Sequence, residues 1–297
     1  MQTPAKLLLF GEHVVIQGAD ALAYPWSARW GSWKFATEDS SALQHNIPDW
    51  VDYFQDLQET DRGCVALDLD RFREELGLGL YFESNIPSGY GAGSSGALCA
   101  AAFRRFREKN TDISLDKLKE QFGKMESFFH GSSSGTDPLI CYLETALVIQ
   151  KEKGIRRVDL DLKQLDPAYQ FFVVNTGIAR KTEPWVQYFI EKAQEPVFKN
   201  QMEQELIPAS NQAIESLLDY RSEDLFDQMD RISQFHLEYL STMIRDDFHD
   251  LWAKGLEGDA DFRLKLCGAG GGGYILGLSR NPAQLTEIEK SYQIERI

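Results

Sequence analysis

Apolar and polar positions along this chain follow two periods, and their order predicts most of its elements. Residues 5–10 form a short apolar run ending at Gly11, and residues 31–37 alternate, so both read as strands. Residues 39–61 are polar with Trp50, Tyr53 and Phe54 embedded, and read as an irregular excursion. Residues 66–76 read as a helix, 78–84 as extended, and 95–109 as a helix with an alanine-rich buried face. Ser114 is placed to cap the next helix, whose Leu115, Leu118, Phe122, Met125 and Phe129 recur at intervals of three and four and read as core. Residues 139–150 and 155–162 read as extended, and Asp166-Pro167 supplies a turn at a candidate domain boundary. Beyond it, residues 170–175 are a continuous apolar run suited to a buried strand. Residues 184–254 are helical with breaks at Pro196 and Pro208, residues 264–278 give strand, glycine turn and strand, and residues 282–291 give a closing helix. Helices segregated from short strands in both halves predict α+β architecture.

Composition narrows the function. The chain has 297 residues, 43% hydrophobic and 26% charged, as in a soluble globular protein. Its formal net charge of −15 repels nucleic acid and anionic membranes, so neither is an expected partner. An anionic ligand must then be met by a local cluster of donors. Cysteines 64, 99, 141 and 267 are scattered without a C-x-x-C pair, which predicts reduced thiols rather than a zinc site or disulfide framework. The N-terminus lacks a basic segment before an apolar core, and no apolar run approaches membrane-spanning length, so a cytoplasmic enzyme is expected.

That donor cluster has a candidate in residues 85–97, N-I-P-S-G-Y-G-A-G-S-S-G-A. Pro87, Gly89, Gly91, Gly93, Ser94, Ser95 and Gly96 lie between an extended segment and a strong helix former. Glycines let the backbone N–H groups approach an anion, and the helix adds its positive end. Gly91-x-Gly93-x-x-Gly96 formally fits a dinucleotide fingerprint, but Pro87 interrupts the strand before it and no second strand with an acidic residue follows. No G-x-x-x-x-G-K-[ST] and no protein-kinase set occurs.

Two further motifs accompany the loop: residues 4–18, P-A-K-L-L-L-F-G-E-H-V-V-I-Q-G, and residues 266–275, L-C-G-A-G-G-G-G-Y-I. In content, order and spacing the three resemble the motifs of the GHMP kinases, over nearly the whole chain. Within that superfamily the pattern is most similar to mevalonate kinases, through K-x-x-L-F-G-E-H-x-V-x-x-G, H-G-x-x-S-G-x-D and the G-A-G-G-G-G turn. The resemblance implies an N-terminal domain like one of ribosomal protein S5 over residues 1–166 and a ferredoxin-like C-terminal domain over 167–297, with the active site between them.

The activity so implied is transfer of the ATP γ-phosphate to the primary hydroxyl of mevalonate, with Mg²⁺. On that pattern Asp137 is the catalytic base and Lys6 its partner, while Glu126 and Ser95 hold magnesium. The 87–96 loop cradles the triphosphate, and His13, Thr182, Gly270 and Gly271 contact the acceptor. Glu12 is expected to hold the turn. From the residues alone, Ser134 and Asp137 also fit a helix cap, Arg180 and Lys181 fit solvated charges, and the Arg104, Arg105, Arg107 cluster fits the wet face of a helix. His45, His236 and His249 have no metal spacing and read as structural. The aromatics at 50–54 are assigned to the adenine side, and a homodimer is compatible with the pattern.

The usual G-L-G-S-S-A-A core reads G-A-G-S-S-G-A here, and Ser133 replaces a common proline. These departures leave open a GHMP kinase for phosphomevalonate, a sugar or a hydroxy acid, and, from another class, a nucleotide-binding regulator without catalysis.

Overall fold

The computed structural model describes residues 1–36, 46–60, 67–108, 113–150, 153–180 and 182–297. Contacts cluster into two compact units that interleave along the chain: 1–6, 25–88 and 92–145 form the first; 7–24, 89–91 and 146–297 the second.

The first unit takes the opening residues of β1 (Thr3–Phe10) and most of β2 (Ala21–Phe35). It adds α1 (Ile47–Thr60), α2 (Leu69–Gly77), β3 (Leu80–Ser84), α3 (Ser94–Phe106), α4 (Leu115–His130) and α5 (Thr136–Leu143). β3 runs antiparallel to Gly31–Phe35 of β2. Gly31 has no side chain because the Phe82 ring lies where its Cβ would be. Phe72 and Phe106 stack at 3.9 Å with the Trp33 ring edge-on to both, each buried ring being worth about 2–3 kcal/mol.

Two expectations are corrected here. The excursion at 39–61 contains a helix over Ile47–Thr60, which buries Ile47, Trp50, Val51 and Phe54 at helical spacing. Residues 37–45 and 61–66, with His45 and Cys64, lie outside the described residues. Residues 139–150 are not all extended: α5 runs to Leu143, ends at Glu144 in a left-handed turn (φ 53°), and only then does a strand begin. Because the buried residues Pro138, Leu139, Ile140 and Cys141 are consecutive, α5 shows no apolar stripe at helical spacing.

The second unit pairs β4 (Ala146–Gln150) with Ala21–Ala23 of β2 and with β5 (Gly154–Val158), both antiparallel. Its other sheet uses β6 (Gln170–Asn175), β7 (Phe262–Leu266), β8 (Tyr274–Ser279) and β9 (Ile294–Arg296) in the antiparallel order β7-β8-β6-β9. The helices are α6 (Thr182–Lys192), α7 (Pro196–Gln201), α8 (Ile207–Leu218), α9 (Ser222–Tyr239), α10 (His249–Gly255) and α11 (Pro282–Glu289). Pro196 opens α7, where its missing N–H costs nothing, and a wide turn over Met202–Leu206 absorbs Pro208 at the start of α8. Every residue of β7 is buried, including Arg263 and Lys265.

Candidate active site

In the first unit the 92–97 segment enters α3 through Gly93, whose φ of 75° closes the turn. A Cβ there would come within 2.9 Å of Lys6 Cγ, so only glycine lets the helix start sit on β1, where Lys6 N–H donates to Ala92 O at 3.0 Å. Gly96 does the same toward α5: a Cβ would fall 2.9 Å from the Asp137 backbone. The N-termini of α3 and α5 are thereby brought together, and both positive ends are available to an anion.

Lys6 extends from β1, nearly buried, and its Nζ lies 2.9 Å from Asp137 Oδ2. Asp137 stands in the first turn of α5, where a carboxylate also suits the helix start, but no side chain caps α5 after Gly135, and Ser134 Oγ accepts the Thr136 N–H at 3.4 Å. Ser95 Oγ, in the first turn of α3, donates to Glu126 Oε1 at 2.8 Å and lies 3.0 Å from His130 Nε2. Ser133 Oγ donates to the other oxygen of Glu126 at 2.5 Å. Glu126 is 4% exposed, and burial followed by the neighbouring Asp137 charge pushes its carboxyl up to about 7. Hydrogen bonds from Ser133 and Ser95 and the charge of Lys6 pull the other way. Ser94 is half-buried beside them.

Five of the sequence-predicted residues, Lys6, Gly93, Ser95, Glu126 and Asp137, thus gather around the two helix starts, with Gly96 between those starts. Ser133 and His130 belong to the same cluster and were not singled out, although both stand in the H-G-x-x-S-G-x-D stretch. The oxygen donors Glu126 and Ser95 suit Mg²⁺, which takes hard ligands and keeps several waters. Among the described residues no group of three or more His, Cys, Asp or Glu gathers as a metal site.

In the second unit the tip of the glycine loop, residues 89–91, meets the turn before α6. Arg180 N–H donates to Gly89 O at 3.0 Å, and the Arg180 side chain occupies the space a Cβ on Gly91 would need. Its guanidinium also donates to Cys267 O (3.3 Å) and Gly272 O (2.6 Å). Arg180 is therefore enclosed between two glycine segments and is not a solvated charge; burial lowers its pKa. Lys181 lies outside the described residues. Thr182 opens α6 and is exposed. Pro87 stands half-buried before the loop tip.

The turn between β7 and β8 uses its glycines for protein packing. A Cβ on Gly270 would meet Met243 at 3.0 Å, one on Gly271 the Trp185 indole, and one on Gly273 the Tyr90 backbone at 2.7 Å. Gly273 is thus the glycine by which this turn approaches the 89–91 loop tip. Glu12 and His13 follow β1, both buried. Glu12 forms an ion pair with Lys265 of β7, which gives the turn-holding role a partner that no motif had indicated. Burial, opposed by Lys265, raises the Glu12 carboxyl. The His13 ring stacks on Phe189 of α6 (4.7 Å, 23°), and burial, then Arg180 and Lys265, lower its pKa to about 3.

Two other expectations change, and one stands. Trp50 is fully buried and donates through Nε1 to Met125 O at 3.0 Å, Phe54 is 2% exposed, and the Tyr53 hydroxyl donates to Lys124 O at 3.0 Å. These aromatics pack α1 onto α4 and are not offered to an adenine. Arg104 donates to Tyr142 O at 2.7 Å and pairs with Glu144, and Arg105 pairs with Glu75, so only Arg107 of that cluster is exposed. His236 accepts the Leu266 N–H and His249 Nε2 lies about 3 Å from two carbonyls, consistent with structural roles.

Comparison with known proteins agrees with this architecture. The family model described as GHMP kinases N terminal domain matches residues 63–145. The chain is similar to a mevalonate kinase of Pyrococcus abyssi, at 24% identity over 98% of this chain and 91% of that protein. Among solved structures it is similar to L. major mevalonate kinase in complex with R-mevalonate (TM-score 0.67, 18% identity, 99% of this chain and 94% of that one). It is equally similar to Streptococcus pneumoniae phosphomevalonate kinase in complex with phosphomevalonate and AMPPNP (TM-score 0.66, 17% identity, 100% and 99%). The chain therefore has the two-domain GHMP kinase fold, and residues 63–145 match the model of its N-terminal domain.

Proposed function

We propose that this protein is an ATP-dependent kinase that transfers the γ-phosphate to the primary hydroxyl of mevalonate, giving 5-phosphomevalonate. The observation that carries the reading is the Lys6–Asp137 pair at 2.9 Å, set at the start of α5 and beside the Ser95–Glu126–Ser133 cluster. A buried lysine in contact with a partly exposed carboxylate gives a candidate base that has a cation on one side and solvent on the other. In the reaction Asp137 takes the proton of the acceptor hydroxyl as its oxygen bonds to the γ-phosphorus, the bridging P–O bond breaks and ADP leaves. The Lys6 ammonium lies close enough to offset negative charge developing on that oxygen. Residues 87–96 offer backbone N–H groups to the triphosphate, and His13, Thr182, Gly270 and Gly271 are assigned to acceptor binding. Glu126 and Ser95 would hold Mg²⁺, which when bound neutralises charge on the transferred phosphate. The domain assignment that goes with this reading is 1–166 and 167–297.

Relatives named mevalonate kinase support mevalonate as acceptor. The similarity to phosphomevalonate kinase gives phosphomevalonate a place in the test as a second acceptor. A cytoplasmic location belongs to the proposal, supported by free thiols at Cys99, Cys141 and Cys267. Among the described residues no helix is long and apolar enough to cross a membrane. Assembly as a homodimer is likewise proposed. The test is purified protein with Mg-ATP and mevalonate, phosphomevalonate, galactose or homoserine, following ADP release and product mass. Phosphorylation of mevalonate alone supports the reading; turnover of another acceptor keeps the kinase and discards mevalonate; ATP binding without turnover favours the regulator.

A further inference from the structure

A lysine on a fully buried strand is expensive unless its charge is met. Lys265 is 1% exposed, between Leu264 and Leu266 on β7, where the strand neighbours are apolar. Its Nζ donates to Leu266 O at 2.7 Å, lies 5.5 Å from the Phe10 ring centre and pairs with Glu12. No part of the chemistry assigned above uses this ammonium.

Its partner sits in the middle of an unusual turn. Gly11 has φ 92°, and His13 has φ 64° and ψ −52°, the rare γ-turn region, which costs a residue with a Cβ on the order of 1–3 kcal/mol. Val14 N–H donates to Glu12 O at 2.7 Å and Val15 N–H to Gly11 O at 3.0 Å, so the turn closes on itself around Glu12. Something outside the turn must hold the strained form.

The strained form gives His13 a defined ring. Phe189 fixes its plane, and the Gly268 backbone offers the imidazole an acceptor. Nε2 is buried and has no hydrogen-bond partner among the described residues, which leaves Nδ1 as the nitrogen bound to Gly268. That bond puts the proton on Nδ1 and makes Nε2 an acceptor. The charged and titratable groups around the ring are Glu12 on its own segment, Arg180 before α6, Lys265 on β7 and His236 on α9. Two cations against one carboxylate disfavour an imidazolium.

We propose that Lys265 is a positioning residue for the acceptor site: through Glu12 it keeps the turn at Gly11 to His13 in the left-handed form that presents His13 Nε2 as a hydrogen-bond acceptor for a substrate hydroxyl. The inference rests on the assignment of His13 to acceptor binding. It adds that the site selects a hydroxyl there, because a neutral acceptor nitrogen gives nothing to a carboxylate. Removing the lysine leaves Glu12 buried and unpaired, and a carboxylate seeking water pulls the turn apart.

The test compares wild type, Lys265→Met and the double variant Glu12→Gln/Lys265→Met. Thermal melts, separate KM values for mevalonate and ATP, and ¹⁵N signals of the His13 ring are measured for each. The expected result for Lys265→Met is a rise of about tenfold in the mevalonate KM with the ATP KM within about twofold, and loss of the fixed Nδ1–H tautomer. The double variant, with no buried charge to expel, regains thermal stability but lacks the pair that holds the turn, so the KM rise and the tautomer loss persist. An unchanged His13 spectrum in Lys265→Met overturns the proposal, as do losses that fall equally on both substrates. If the single variant does not fold, the double variant decides: folded, with a wild-type His13 spectrum and mevalonate KM it refutes the inference, and folded with the ring released and only the mevalonate KM raised it supports it. Should wild type turn over no acceptor, the kinase reading fails while the ring spectra still report on Lys265.

Discussion

Asp137 and His13 show how surroundings set two polar side chains to different ends. Asp137 is a surface-facing carboxylate held by a single ammonium, so Asp137→Asn should keep ATP affinity and lower kcat by about 10²–10⁴-fold, read from steady-state rates beside nucleotide titration. His13 is buried and uncharged. An unfolded imidazole takes up a proton near 6.5, whereas the folded one stays neutral down to about 3. The protein thus has its full His13 contribution above pH 6.5 and loses about 1.4 kcal/mol per pH unit as pH falls below it. His236 acts in the same direction. In urea unfolding between about pH 4.5 and pH 6.5, His13→Gln should flatten the fall of stability by one proton's worth, and an unchanged slope would show that the ring is not neutral in the folded state. Lys6, Glu126 and Asp137 were legible because each stands in a motif with a defined spacing. Arg180 and Lys265 were not, because a cation in a sequence looks the same whether solvent or a carbonyl receives its hydrogen bonds.

Among elements, the link between α4 and α5 fixes the carboxylate cluster. Gly135 packs so closely on α4 that a Cβ would lie 2.0 Å from Lys119 O, while Gly131, with the same positive φ, has open space around it. Gly131→Ala should therefore cost only the backbone term, about 1 kcal/mol. Gly135→Ala should cost roughly 1–3 kcal/mol more, because the loop must lift. Lifting it draws Ser133 away from Glu126, so the second variant alone should need more Mg²⁺ for half-maximal rate. Denaturant midpoints and magnesium titrations check the pair. Such elements were readable where one face is wet: α4 announced itself through its stripe and its Ser114 cap, which accepts the Lys117 N–H. The helix α1 carried the same signal at 47, 50, 51 and 54, masked by an acidic and amide-rich surround. With its buried residues consecutive at 138–141, α5 showed no such stripe.

At the scale of the whole molecule, the charge of −15 works against the anions the proposed reaction needs. Encounter with ATP and mevalonate is repulsive at long range and favourable only near the helix starts and the buried cations. Added neutral salt should then raise kcat/KM, by about two- to threefold between low and physiological ionic strength. A fall would show that local attraction dominates even at distance. The fold class was legible from the segregation of helices and strands, but the interleaving was not, since no local pattern says that residues 7–24 leave the first unit for the second. That crossing sets a schedule for biosynthesis. Lys265 follows Glu12 by about 250 residues, so it emerges from the ribosome tens of seconds later at ordinary rates of translation. Until then the nascent chain carries a carboxylate with no counter-charge in a segment that cannot settle, and that turn must wait for β7 before it can take shape.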